Sequence, residues 1–196
     1  GLKQNDIILD IQKKTIIKPL RLLLYGPPGV GKTYFANSSD NPIFIQTEEG
    51  ADVLGPHRFP VAKSFSDVTG ALQCLLDEDH SYQTLVLDSL DWTEALIHAE
   101  VCRAEKVDSI QKINYGKGFM YALVFWRQLI DQLNALREER KMNFILIAHS
   151  HPQRFEDPNS EPYHRYEIKL NKHAGELCME NSDVIGFANF RMHIQS

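Results

Sequence analysis

Short, almost uninterrupted apolar runs alternate along this chain with longer stretches in which apolar residues recur every three or four positions. Leu22-Leu23-Leu24-Tyr25, Ile43-Phe44-Ile45, Leu85-Val86-Leu87 and Phe144-Ile145-Leu146-Ile147 are too short for helices and apolar on both faces, the pattern of strands buried in a parallel sheet. Glu167 to Leu170 and Val184 to Phe187 read as two further strands. Helical periodicity covers Lys32 to Asn37, a segment capped by Ser66 and running to Leu76, and a stretch through Trp92, Leu96 and Ala99. It returns over Phe119 to Arg140, where Leu123, Trp126, Leu129, Ile130 and Leu133 form one stripe, and over Ala174 to Met179. Strands alternating with helices predict an α/β fold, a mainly parallel sheet with helices on both faces. Residues 1–20 read as a lead-in arm or edge strand and residues 21–196 as one core.

The turn after the first strand reads Gly26-Pro27-Pro28-Gly29-Val30-Gly31-Lys32-Thr33, a full G-x-x-x-x-G-K-[ST] match between a strand and a helix. Its glycines let backbone wrap closely around a polyphosphate, and its N–H groups and the helix N-terminus supply positive ends. Lys32 reaches the β- and γ-phosphates and the Thr33 hydroxyl is a Mg²⁺ ligand. The expectation is nucleoside triphosphate binding, with ATP and Mg²⁺ as the bound species.

Composition narrows the class. At 196 residues, 43% hydrophobic and 24% charged, the chain suits one globular domain with a sizeable core. Its three cysteines form no Cys-x-x-Cys pair, which argues against a disulfide framework or zinc ribbon and for a reducing cytoplasm. No run approaches a membrane span and no signal peptide opens the chain. Gly1 reads as a cleavage scar and Gln195-Ser196 as a cut end. A net charge of −5 excludes a surface basic all over, so nucleic acid would have to meet local basic loops.

Strand three ends in Asp88, a Walker B carboxylate that would hold Mg²⁺ opposite Thr33. Ser89 follows where AAA+ proteins usually carry the catalytic glutamate, so that group must come from elsewhere. Gln46-Thr47-Glu48-Glu49-Gly50, at the end of strand two, offers a carboxylate to orient the attacking water.

At these positions the chain resembles the RecA/RadA recombinase superfamily, whose core carries its catalytic glutamate at the end of the strand after the phosphate-loop helix. The resemblance puts that role on Glu48, with Glu49 in reserve, and makes Ile145 to His149 the strand whose terminal polar group senses the γ-phosphate. Thr-Glu-x-Gly, Asp88-Ser89, Tyr115-Gly116-Lys117-Gly118 and Ala148-His149-Ser150 together look like the small RecA-like ATP-binding proteins of bacteriophages and prophages, which include Sak-type single-strand annealing proteins. That likeness spans about Leu20 to Phe190. It implies a cytoplasmic, phage- or prophage-encoded protein of the host bacterium, a homo-oligomeric assembly and single-stranded DNA as a partner.

The same resemblance places DNA-contacting loops at Lys106 to Gly118 and His151 to Tyr166. The first carries Lys112, Tyr115 and Lys117, and the second Arg154, Tyr163, His164 and Arg165. Cations interleaved with rings suit single strands, where charges meet phosphates and rings stack on bases. Glu156, Asp157 and Glu161 oppose that reading in the second segment. The resemblance also implies a cation acting on a neighbouring subunit's γ-phosphate, with Lys169, Lys172, Arg154 and Arg165 as candidates. His149, His151, His164, His173 and Cys178 match no compact zinc spacing.

The function expected is a Mg²⁺-dependent ATPase acting on single-stranded DNA in phage recombination or annealing. The alternatives are a nucleotide-gated binding module with little turnover and a small-molecule kinase, which would need an arginine-bearing lid and an acceptor pocket.

Overall fold

The computed structural model describes residues 17–48 and 57–191. Its framework is a sheet in the order β3-β2-β4-β5-β1-β7. The strands are β1 (Arg21–Gly26), β2 (Pro42–Gln46), β3 (His57–Arg58), β4 (Thr84–Asp88), β5 (Asn143–Phe155) and β7 (Val184–Phe187), all paired in parallel. A further strand, β6 (Tyr163–Ile168), pairs antiparallel with the far half of β5. The five α-helices among the described residues are α1 (Lys32–Asn37), α2 (Phe65–Asp77), α3 (Leu90–Glu105), α4 (Lys117–Glu139) and α5 (Lys172–Glu180).

Alternation along each strand divides the core in two. Leu23, Ile43, Ile45, Leu85, Leu87, Phe144, Leu146 and Ala148 point to one face and pack under α2, α3, α4 and α5. Leu22, Phe44, Val86, Ile145 and Ile147 point to the other and cluster with Ala36 of α1. The expected covering of both faces is therefore lopsided. The large cluster holds the fully buried Trp126. The residues of the phosphate-loop side are buried as well, so room for a ligand lies beyond the carboxyl ends of the strands.

Two expectations on local structure change. The cap of α2 is Ser64 rather than Ser66: Ser64 accepts from the Asp67 amide while Asp67 reaches back to the Ser64 amide, a reciprocal capping box. The segment from His151 to Tyr166 is not a long loop. β5 continues straight through it to Phe155, and residues 163–168 return as β6, with Ser150 opposite Ile168 and Phe155 opposite Tyr163. This two-stranded ribbon is held by its own side chains and, at its base, by Tyr166 stacked on Phe187 of β7 at 5.7 Å. Phe155 stacks on Tyr163 at 5.9 Å and the Arg165 guanidinium lies 3.6 Å above the Phe155 ring. Pro152 is tolerated because a ribbon strand has a free edge. The reading of residues 1–16 as an arm, like Glu49, lies outside the described residues.

One glycine of the Tyr-Gly-Lys-Gly stretch has a packing role. A Cβ on Gly118 would sit 2.6 Å from Ile110 Cγ1 and 2.8 Å from the Ile110 carbonyl oxygen, so the start of α4 can lie against the preceding turn only without a side chain. Gly118→Ala should lower unfolding stability by about 1–3 kcal/mol through overpacking, read as a fall in the urea midpoint at unchanged slope.

Candidate nucleotide site

Parallel register brings the carboxyl ends of β1, β2 and β4 level with the middle of β5: Gly26 is opposite His149, Asp88 opposite Ile147, and Gln46 opposite Asp88. The loop from Gly26 to Thr33 crosses above these ends. Gly29 and Gly31 have φ of 75° and 100°, and no heavy atom lies within 4 Å of where their Cβ atoms would be. The left-handed backbone calls for glycine and the open space gives a ligand close access. At Gly26 the need is different, since a Cβ would collide with the Ala188 carbonyl where the chain passes after β7.

Lys32 is buried, and its ammonium donates to the carbonyls of Gly26 and Pro27 at 2.8 and 2.7 Å. Burial pushes its pKa down, against the pull of Asp88, Asp91 and Glu48. The Thr33 hydroxyl donates to Asp88 Oδ2 at 2.7 Å. Asp88 is 5% exposed, and desolvation raises its pKa despite the Thr33 hydrogen bond and the nearby His149 and Lys32. A hydroxyl and a carboxylate side by side are the hard oxygen donors that Mg²⁺ takes. The glycine cradle and the weakly compensated Lys32 ammonium fit a polyphosphate. The donor set present thus fits both expected species.

Thr47 fixes the next element. Its amide donates to the Asp88 carbonyl at 2.9 Å, its hydroxyl accepts from the Ser89 amide at 2.9 Å, and the hydroxyl donates to the Ser89 carbonyl at 3.0 Å. These bonds lace the ends of β2 and β4 across a cis Asp88–Ser89 peptide and set Glu48 beside the Asp88 carboxylate. Burial raises the Glu48 pKa; His149 opposes that rise, Asp88 and Asp91 add to it, and Lys169 opposes it. A raised pKa makes a carboxylate a stronger base toward a water proton.

His149 is held by a residue that the sequence reading passed over. Asp91, in the first turn of α3, accepts from the His149 amide through Oδ1 at 3.0 Å and pairs with its Nδ1 through Oδ2 at 2.9 Å. A carboxylate only accepts, so Nδ1 carries the hydrogen and Nε2 is left to act outward. The available signal was Asp88-Ser89-Leu90-Asp91, a second acid three residues beyond the Walker B acid. Thr47 was quoted only as part of a motif.

Lys32, Thr33, Glu48, Asp88 and His149 are thus brought together. Of the other candidates, Lys169 adjoins this group and the rest lie apart. Lys112 pairs with Asp108 at 2.7 Å, and Lys117 is exposed at the start of α4. Arg154 pairs with Glu156 at 3.2 Å and Arg165 with Glu167 at 2.7 Å on the ribbon. Lys169 donates its amide to the His149 carbonyl at 2.9 Å. Lys172 lines a cavity of about 710 Å³ with Leu23, Tyr25 and Glu176 under the ribbon. No helix among the described residues is long and apolar enough to cross a membrane.

Residues 18–195 match the family of AAA domains. The chain belongs to that AAA-domain family. Among solved structures, this AAA domain is similar to a RadB recombinase at 17% identity and a TM-score of 0.48, covering 90% of this chain and 77% of that one. No curated protein matches it.

Two variants test the geometry. Asp91→Asn removes the double acceptor and should lower ATP turnover about tenfold, the cost of a lost hydrogen bond to a charged group. It should also shift the His149 ¹⁵N resonances away from the Nδ1–H tautomer, a change that loss of packing alone would not give. For Asp88, the raised pKa means the folded state holds this proton more tightly than the unfolded chain does. That stability is complete at acid pH and is lost as pH rises through the folded value. Asp88→Asn should therefore gain melting temperature over the parent at about pH 7 and not at about pH 4, measured without nucleotide.

Proposed function

We propose that this AAA domain is a Mg²⁺-dependent ATPase that acts on single-stranded DNA, in phage recombination or annealing. The observation that carries the reading is the convergence of Glu48 and the Asp91-held His149 on the phosphate loop. A binding loop alone has no use for a carboxylate of raised pKa and an oriented imidazole beside it.

In the reaction, a water oxygen bonds to the γ-phosphorus as the bond from that phosphorus to the bridging oxygen breaks. The electron pair leaves with ADP, and a water proton passes to Glu48 on its way to solvent. Lys32 leaves its backbone carbonyls for the β- and γ-phosphates. With both ring nitrogens carrying hydrogen, His149 donates Nε2–H to the γ-phosphate while Asp91 accepts from Nδ1–H and keeps the ring in place. Mg²⁺, held by Thr33 and Asp88, supplies charge against the phosphates when bound. Support for DNA comes from the ribbon, which continues directly from His149 and carries Arg154, Phe155, Tyr163 and Arg165. The turn before α4 adds support, since its Tyr115 is 95% exposed between Lys112 and Lys117. The phage setting and the homo-oligomer rest on the resemblance of motifs.

One observation favours the kinase alternative: a cavity of about 380 Å³ beside Glu48, lined by Thr47, Val61, Trp92 and Leu96, could seat an apolar acceptor. Turnover assays separate these readings. Phosphate release that rises with single-stranded DNA, is abolished by Lys32→Ala and falls by about 10²–10⁴ in Glu48→Gln with ATP binding retained is the result expected. Unchanged slow turnover in Glu48→Gln would favour the nucleotide-gated module. Phosphate appearing on an added acceptor, not in solution, would favour a kinase.

A further inference from the structure

The antiparallel register of β5 and β6 ends toward the sheet with Ser150 opposite Ile168, and His149 and Lys169 come next, Lys169 in the bend that follows β6. Their backbones are bonded, Lys169 N–H to His149 C=O at 2.9 Å. Residues directly opposite in such a pair project to the same face, with Cβ atoms about 5 Å apart. His149 follows Ile145 and Ile147 in alternation and so lies on the phosphate-loop face. Ile168 and Leu170, the neighbours of Lys169, pack against the opposite, four-helix cluster, and the Leu170 amide donates to the Ile168 carbonyl at 2.9 Å, which puts Lys169 at the apex of a tight turn between them. Lys172 lines the cavity with Leu23 and Tyr25, whose packing is with the four-helix cluster. Lys169 is exposed, and no carboxylate lies within ion-pair distance of it among the described residues. The site around it holds the carboxylates Glu48, Asp88 and Asp91, and its charge is felt at Glu48.

We propose that Lys169 is a γ-phosphate ligand within its own chain, a second cation that meets the phosphoryl oxygens from the His149 side while Lys32 meets them from the loop. The inference rests on the ATPase reading and deepens it, replacing a lysine acting across a subunit interface by one acting in cis. Lys169 stays an ammonium throughout and takes no part in proton transfer. Its effect is on the charge that a triphosphate has and a diphosphate lacks.

The test uses Lys169→Ala and two readouts. With a fluorescent, non-hydrolysable ATP analogue and the matching fluorescent ADP as probes, the variant should bind the triphosphate about tenfold more weakly and the diphosphate unchanged, the loss of one charge-assisted hydrogen bond. Adding an excess of Lys32→Ala protein, which offers Lys169 but cannot compete for nucleotide, should not restore triphosphate affinity. In hydrolysis, turnover should fall about 10–100-fold, and mixing Lys169→Ala with Glu48→Gln should give no more than the sum of the separate rates. Equal affinity of parent and variant for the triphosphate overturns the proposal. Restoration in either mixture overturns it as well and moves the lysine's action to a neighbouring subunit. If the parent hydrolyses no ATP, the ATPase reading fails on its own, and the two binding measurements still decide the place of Lys169.

Discussion

A buried ammonium with only two backbone carbonyls for partners is the constraint around which this end of the molecule is arranged. Lys32 has been taken out of water without a carboxylate in direct contact, and an uncompensated buried charge is costly. The three acids at the ends of β2, β4 and α3 offset that cost at a distance, and in doing so they crowd one another. Burial raises the pKa of both Asp88 and Glu48, and the neighbouring acids add to it. The unliganded site is therefore unbalanced in both signs. A polyphosphate with its cation corrects both, giving Lys32 an anion and Asp88 a metal. The favourable free energy of binding comes in part from relieving that imbalance.

Position matters as much as charge here, and it is set by short bonds between strand ends. Nothing in β2 alone would hold Glu48 where it is, since the strand stops at Gln46. The Thr47 hydroxyl serves both the amide and the carbonyl of Ser89, so the end of β2 cannot move without disturbing the turn that carries Asp88. Asp91 does the same for His149. Each group that could touch a phosphate is thus held by a neighbour from a different strand or helix, which is how side chains on flexible strand ends become pre-organised.

The sheet and the phosphate loop were legible because both are written locally. Apolar runs of three or four residues marked β1, β2 and β4 to within a residue or two, and an eight-residue motif marked the loop. The ribbon was not legible, since its stability lies in pairs such as Phe155 with Tyr163 and Arg165 over Phe155. Those pairs are contiguous only after the strands meet, and along the chain they read as a polar stretch with three prolines. Asp91 was missed for a related reason: an acid in the first turn of a helix is common for its effect on the helix dipole alone, and only the fold shows the His149 ring against it. The cap of α2 went to Ser64 because Asp67 can close a reciprocal pair with it across three residues, and Ser66 has no such partner.

The ribbon also bears on how events at the phosphate could be felt elsewhere. β5 is one continuous strand from the core through His149 to Phe155. The far end of the ribbon returns to the same helix that holds His149: Glu94, one turn after Asp91 on α3, accepts the Asn171 amide through both carboxylate oxygens at 3.2 and 3.0 Å. Burial raises the Glu94 pKa, so this contact is itself held under a desolvation cost that a small displacement would change. Both feet of the ribbon therefore stand on one helix, His149 through Asp91 and Asn171 through Glu94.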